Sequence, residues 1–188
     1  MSPLPRSGLP SQPQPGAVPD LPGGLPVRPL QPTPDGVGLA PWWWLGCHGG
    51  AGCSTLANVV RRGGNAGRYW PVPPAGERCQ VVLIARTHAG GLRAAQVAAR
   101  QWASGSLPPD VQLIGLVAVA DAPGRLPRPL RELLALVSGG LPRVWQLPWV
   151  EALRRGDPPG QVRLPAAYAQ LATDLNHITD HHRTGGSS

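Results

Sequence analysis

The segment GCHGGAGCST, residues 46–55, sets Gly49, Gly50 and Gly52 around Ala51, between the Cys47-His48 pair and Cys53. Closely spaced glycines let successive backbone N–H groups surround an anion, because no Cβ obstructs the approach and positive φ is open to them. Ser54 and Thr55 follow, in the place where phosphate-holding loops carry a magnesium-binding hydroxyl. The cation such a loop ordinarily carries is absent. The chain has no lysine, and all 17 of its basic side chains are arginine. Arginine is a planar fork on a long stem, so it does not replace a compact ammonium inside a tight loop.

Other chemistries fit these residues less well. Cys47, His48 and Cys53 are three metal-capable side chains within one loop, and His177, His181 and His182 add three near the end of the chain. The CH…C spacing matches no common zinc pattern, and the glycines between are better explained by backbone approach to an anion. The C-terminal histidines read as the polar end of an exposed helix. Three cysteines are an odd number and make no disulfide framework. Cys53 is either a thiol of lowered pKa at a helix start or a small buried side chain. His48 either touches phosphate as a neutral donor or caps the turn. The glycines themselves serve an anion pocket or merely a tight turn.

An anion loop needs a strand before it and a helix after it. APWWWLG reads as a buried strand, on which Trp42 and Trp44 face one way and Trp43 the other. STLANVVRR reads as a helix capped by Ser54 or Thr55, with Leu56, Val59 and Val60 on one face. GGNAGRYWPVPPAGER, rich in Gly and Pro, reads as a loop. The apolar run from Val81 to Ala85 in CQVVLIART predicts a fully buried parallel strand. HAGGLRAAQVAARQWASG predicts a helix ended by Gly105, and VQLIGLVAVAD a second buried strand closing on Asp121. PRPLRELLALVSGG has proline at its start and glycine at its end, as a helix should. A short strand (RVWQLPW), a short helix (EALRRG) and a long final helix complete the series. Strands alternating with helices predict an α/β fold, a three-layer sandwich around a mostly parallel sheet. Ligands in such sheets sit beyond the C-terminal strand ends. The glycine loop, Arg86 with Thr87, and Asp121 all fall at that edge.

Residues 1–39, rich in proline and glycine and without apolar periodicity, are expected to be a disordered leader. Residues 40–180 then form one domain, and 181–188 a flexible tail. The leader has neither a basic start nor a continuous apolar run, and no later run reaches membrane-spanning length, so the expected location is cytoplasmic. The formal net charge is +7, yet the arginines are scattered. Arg61-Arg62, Arg125/Arg128/Arg131 and Arg154-Arg155 read as solvated surfaces, which leaves nucleic acid a minor alternative among partners.

HGGAGCST resembles the deviant Walker A loop of the partitioning (ParA) and Min-type (MinD) ATPases, KGGxGKTT in that family. In that alignment His48 stands at the signature lysine, Gly49, Gly50 and Gly52 match, Cys53 replaces the Walker lysine and Ser54 matches the magnesium-binding hydroxyl. VVLIARTHAGGLRAA, LIGLVAVAD and VWQLPWVEALRRGDP resemble later segments of the family in the same order, so the resemblance covers most of residues 40–180. The chain also resembles actinobacterial proteins carried on integrating or conjugative elements. The resemblance implies a P-loop NTPase-like fold reduced in strand number, and ATP or GTP with magnesium as cofactor. The nucleotide would contact residues 47–55, with Arg86 as a substitute cation, Asp121 at the base and Ser54 on the metal.

The departures bear on activity. Both lysines of the loop are gone, and the interval from Thr55 to Val81 is too short for the family's two acidic strands. Loss of one transition-state charge contact typically slows a reaction roughly 100- to 1,000-fold, and here three such groups are missing together. The expectation is a degenerate P-loop protein that binds nucleotide or phosphate without efficient hydrolysis and acts in regulation or assembly, with a protein partner or as a homodimer. Two alternatives stand beside it. One is a divergent ATPase or GTPase completed in trans by an arginine of another subunit. The other is a nucleotide-independent interaction module with the proline-rich leader as its docking segment.

Overall fold

The computed structural model describes residues 23–30 and 39–184. In chain order the elements are β1 (Val27–Pro29), β2 (Trp43–Gly46), α1 (Cys53–Val59), β3 (Gly64–Gly67), β4 (Trp70–Val72), β5 (Cys79–Arg86), α2 (Ala89–Ala103), β6 (Val111–Val119), α3 (Arg128–Ser138), β7 (Val144–Leu147), α4 (Glu151–Arg155) and α5 (Ala166–Thr184). The main sheet has the order β3-β2-β5-β6-β7, and every pairing in it is parallel. From β2 the chain passes through α1 to β3 on one side. From β5 it moves the other way through β6 to β7. The order thus reverses beside β2 and β5, where an open α/β sheet leaves a crevice at its C-terminal edge.

Residues on the strands alternate between two apolar layers, as the pleat requires. Leu45, Val81, Leu83, Ala85 and Leu116 pack with Ala95 and Ala98 of α2 and Val137 of α3. Trp42, Trp44, Val82, Ile84 and Val117 pack on the opposite face, with Leu56 of α1 and Leu171 and Leu175 of α5. The result is the expected three-layer α/β sandwich, and the tryptophans divide between its faces as their spacing predicts. Among the described residues no helix is long and apolar enough to cross a membrane.

Three expectations are corrected. The stretch after α1 is no simple loop, for it contains β3 and β4. Its glycines permit this: a Cβ at Gly63 would collide with the indole nitrogens of Trp42 and Trp44, and one at Gly64 would lie 2.6 Å from the Trp43 ring. Residues read as strand breakers are what let an edge strand pass three indoles. The leader is not disordered throughout. Residues 1–22 and 31–38 lie outside the described residues, but β1 pairs in parallel with β4 in a separate two-stranded sheet. Leu25 and Leu30 are buried in the core. The Gln101 side chain accepts from the Leu25 N–H at 2.8 Å, donates to its carbonyl at 2.8 Å, and accepts from Trp70 Nε1 at 3.0 Å. Finally, α5 runs to Thr184, so helix occupies the first part of the expected tail; residues 185–188 lie outside the described residues.

Candidate functional site

The Cys47 N–H donates to the Ile84 carbonyl at 2.9 Å, extending the β2 ladder by one residue beyond the strand. The Cys47 thiol is buried in the core, and burial raises its pKa steeply. Cys47 is not among the residues that line the cavity onto which the loop opens. The chain then turns outward. Gly49 and Gly50 are exposed, Gly50 has φ +74 and Gly52 φ +111, a region that L side chains rarely adopt. Among the described residues neither Gly50 nor Gly52 donates its N–H to a backbone carbonyl. Gly52 is the N-cap of α1 and no side chain caps that helix. The expected cap from Ser54 or Thr55 is not formed, because the left-handed glycine starts the helix earlier and leaves both hydroxyls inside its first turn.

His48 is pinned to the neighbouring strand. Its Nε2 accepts the Arg86 N–H at 3.0 Å, and its Nδ1 lies 2.8 Å from the Gly49 carbonyl. An acceptor at one nitrogen and a carbonyl at the other require the neutral ring protonated on Nδ1. Burial lowers its pKa. The bond to Gly49 opposes that shift, and the positive surroundings of His88, Arg86 and Arg68 reinforce it. The His88 ring stands edge-on with centroids 5.0 Å apart, and His88 Nδ1 accepts the Gly91 N–H to cap α2. Of the two sequence readings of His48, the structure places it as a tie within the turn.

Cys53 turns toward β3, its thiol 3.8 Å from the Gly67 carbonyl. Burial pushes its pKa up to about 11, so it is a protonated thiol at neutral pH. Ser54 Oγ lies 3.4 Å from Asn65 Nδ2, and Asn65 Oδ1 accepts the Gly67 N–H at 2.9 Å.

The loop opens onto a cavity of about 400 Å³ lined by His48, Gly50, Ala51, Gly52, Cys53, Ser54 and Thr55. Gly46, Asn65, Gly67 and Leu153 complete its wall, together with three arginines: Arg68 after β3, Arg86 at the end of β5 and Arg154 on α4. No Asp or Glu is among these lining residues. Arg86 Nη1 donates to the Ala120 carbonyl at 2.9 Å, which holds the guanidinium in place.

The sequence anticipated Arg86 and missed the other two. Arg68 lies in the stretch read as a loop, so no strand end pointed to it. For Arg154 the sequence context, Arg154-Arg155, predicts a solvated pair. It is indeed exposed, and its place at the cavity comes from the packing of α4. Asp121, expected at the same edge, borders a different space. It lines a second cavity of about 480 Å³ with Thr87, His88 and Arg125, and its N–H donates to Thr87 Oγ1 at 3.2 Å. The two cavities have no lining residue in common. Among the described residues no three His, Cys, Asp or Glu side chains gather where they could hold a metal ion.

The arrangement can hold an anion against backbone N–H groups and guanidinium forks. It offers no carboxylate base within the loop cavity and no thiolate. A family model described as "Family of unknown function (DUF6668)" matches residues 40–164, a span that takes in the loop and all three arginines. No curated protein matches the chain.

Proposed function

We propose that this chain, which belongs to the DUF6668 family of unknown function, binds a phosphate-bearing ligand at the glycine loop without hydrolysing it efficiently, as a regulatory or assembly factor. The carrying observation is the convergence of Arg68 from the turn after β3, Arg86 from the end of β5 and Arg154 from α4 on the cavity of Gly50 and Gly52. Three positive side chains around open backbone donors, Arg86 held by the Ala120 carbonyl, favour an anion, and guanidinium matches phosphate oxygens in pairs. The resemblance of HGGAGCST to the deviant loop of the partitioning and Min-type ATPases supports a nucleotide as that ligand. The lack of a carboxylate to order an attacking water supports binding over turnover. Occupancy would reach the rest of the molecule through Arg86, whose backbone holds His48 and whose side chain holds Ala120. A protein partner or a second copy of the chain would read that change, in the service of an integrating or conjugative element.

Calorimetric titration of the full chain with ATP, GTP and their diphosphates tests the reading. Binding without phosphate release is the expected result. Absence of heat with every nucleotide and with inorganic phosphate removes it, and steady phosphate release restores the enzymatic alternative.

A further inference from the structure

Magnesium is the ion that the family resemblance implies beside Ser54. Loops of that kind hold it with a hydroxyl and a carboxylate, together with oxygens of the ligand. Both strands hydrogen-bonded to β2 run out into arginine instead: Arg68 follows β3, and β5 ends on Arg86. Among the described residues the loop cavity is lined by no Asp or Glu, and Ser54 Oγ faces the Asn65 amide. A divalent cation would enter a site already ringed by three positive side chains. These residues do not fit magnesium; they fit phosphate oxygens directly.

We propose that the loop cavity takes a diphosphate group in its metal-free form, with Arg68, Arg86 and Arg154 supplying the charge that lysine and metal supply in related loops. This rests on the anion-binding reading above and adds the ionic state of the ligand. A cavity of about 400 Å³ lies within the range for ligand sites, roughly 300–1,000 Å³, and leaves room for a diphosphate group. The three arginines line the cavity from the turn after β3, the end of β5 and α4, an arrangement that would let guanidinium forks engage two adjacent phosphates. Magnesium in solution would then act as a competitor, since it occupies the same phosphate oxygens.

The test is calorimetric titration of the full chain with inorganic pyrophosphate, once in excess EDTA and once in excess magnesium chloride. Binding in EDTA that weakens clearly with magnesium is expected. Arg68→Ala and Arg154→Ala, both at exposed positions and so compatible with folding, should each weaken binding in EDTA roughly three- to tenfold. Affinity that is equal or tighter with magnesium, or untouched by the double arginine variant, overturns the metal-free claim and leaves anion binding standing. No binding in either medium overturns the anion reading itself.

Discussion

His48 Nε2 accepts the backbone N–H of Arg86 at 3.0 Å, joining the glycine loop to the end of the adjacent strand across the crevice where the sheet order reverses. The position that carries the signature lysine in the resembling family is thereby turned inward. A Cβ at Gly91 would stand 2.9 Å from the same nitrogen, so α2 closes over the bond and keeps the ring in place.

The burial of His48 in this position makes stability sensitive to acid. In the unfolded chain His48 titrates near the ordinary value of about 6.5, and in the folded protein its pKa is lower, chiefly through burial. Above about pH 6.5 the contribution is fully present; as pH falls from there through the lower folded pKa, the unfolded state binds more protons and the contribution is lost. Urea midpoints followed from neutral to acidic pH should decline, and His48→Gln should flatten the decline. An identical slope in the variant would assign the sensitivity to other groups.

The loop glycines separate by backbone conformation. Gly52, at φ +111, should cost about 1–3 kcal/mol when replaced by alanine, because the side chain forces a sparsely populated region. Gly49 has no positive φ, and a Cβ there would meet nothing within 4 Å. Gly49→Ala should stay within about 0.5 kcal/mol of the parent. Equal costs in denaturant unfolding would refute the assignment.

Gln101 fastens residues 23–30 to the domain. Gln101→Leu leaves the Leu25 N–H and carbonyl and the Trp70 indole without their partner, at a cost of about 2–4 kcal/mol in total. Amide hydrogen exchange should accelerate across residues 23–30 while β5 and β6 remain protected. Uniform acceleration along the chain would mean that β1 docks by other means.

The cysteines should be slow toward a disulfide reagent at neutral pH. Burial raises the Cys53 pKa to about 11 and that of Cys79 to about 12, and Cys47 is raised by burial as well. Only the thiolate reacts, and at pH 7 a thiol of pKa 11 is ionised in roughly one molecule in ten thousand. All three should react promptly in denaturant. Fast labelling of Cys53 in the folded protein would show that the loop opens away from Gly67.

What could be read along the chain was whatever depends on neighbours in sequence. The run from Val81 to Ala85 is apolar on both faces, so it had to be a central parallel strand, and it is buried throughout. The Trp42–Trp44 alternation and the glycine loop between strand and helix follow from local periodicity and backbone freedom in the same way. β3 was hidden because Gly63 and Gly64 carry the signal of a breaker, and only the indoles packed against them explain why glycine is required. β1 was hidden because its support comes from Gln101, 76 residues away from Leu25.

The sequence by itself determined the α/β class, the order of β2, α1, β5, α2, β6, α3, β7, α4 and α5, the place of the loop and the use of arginine in place of every lysine. The tertiary structure alone decided which arginines meet the loop and which way His48 turns. Arg68 just after β3, Arg86 at the end of β5 and Arg154 on α4 are brought together by sheet order and helix packing, quantities that no local pattern of residues encodes. The same packing places Asp121 at a separate cavity, where its N–H donates to the Thr87 hydroxyl and the residues after β6 form the wall.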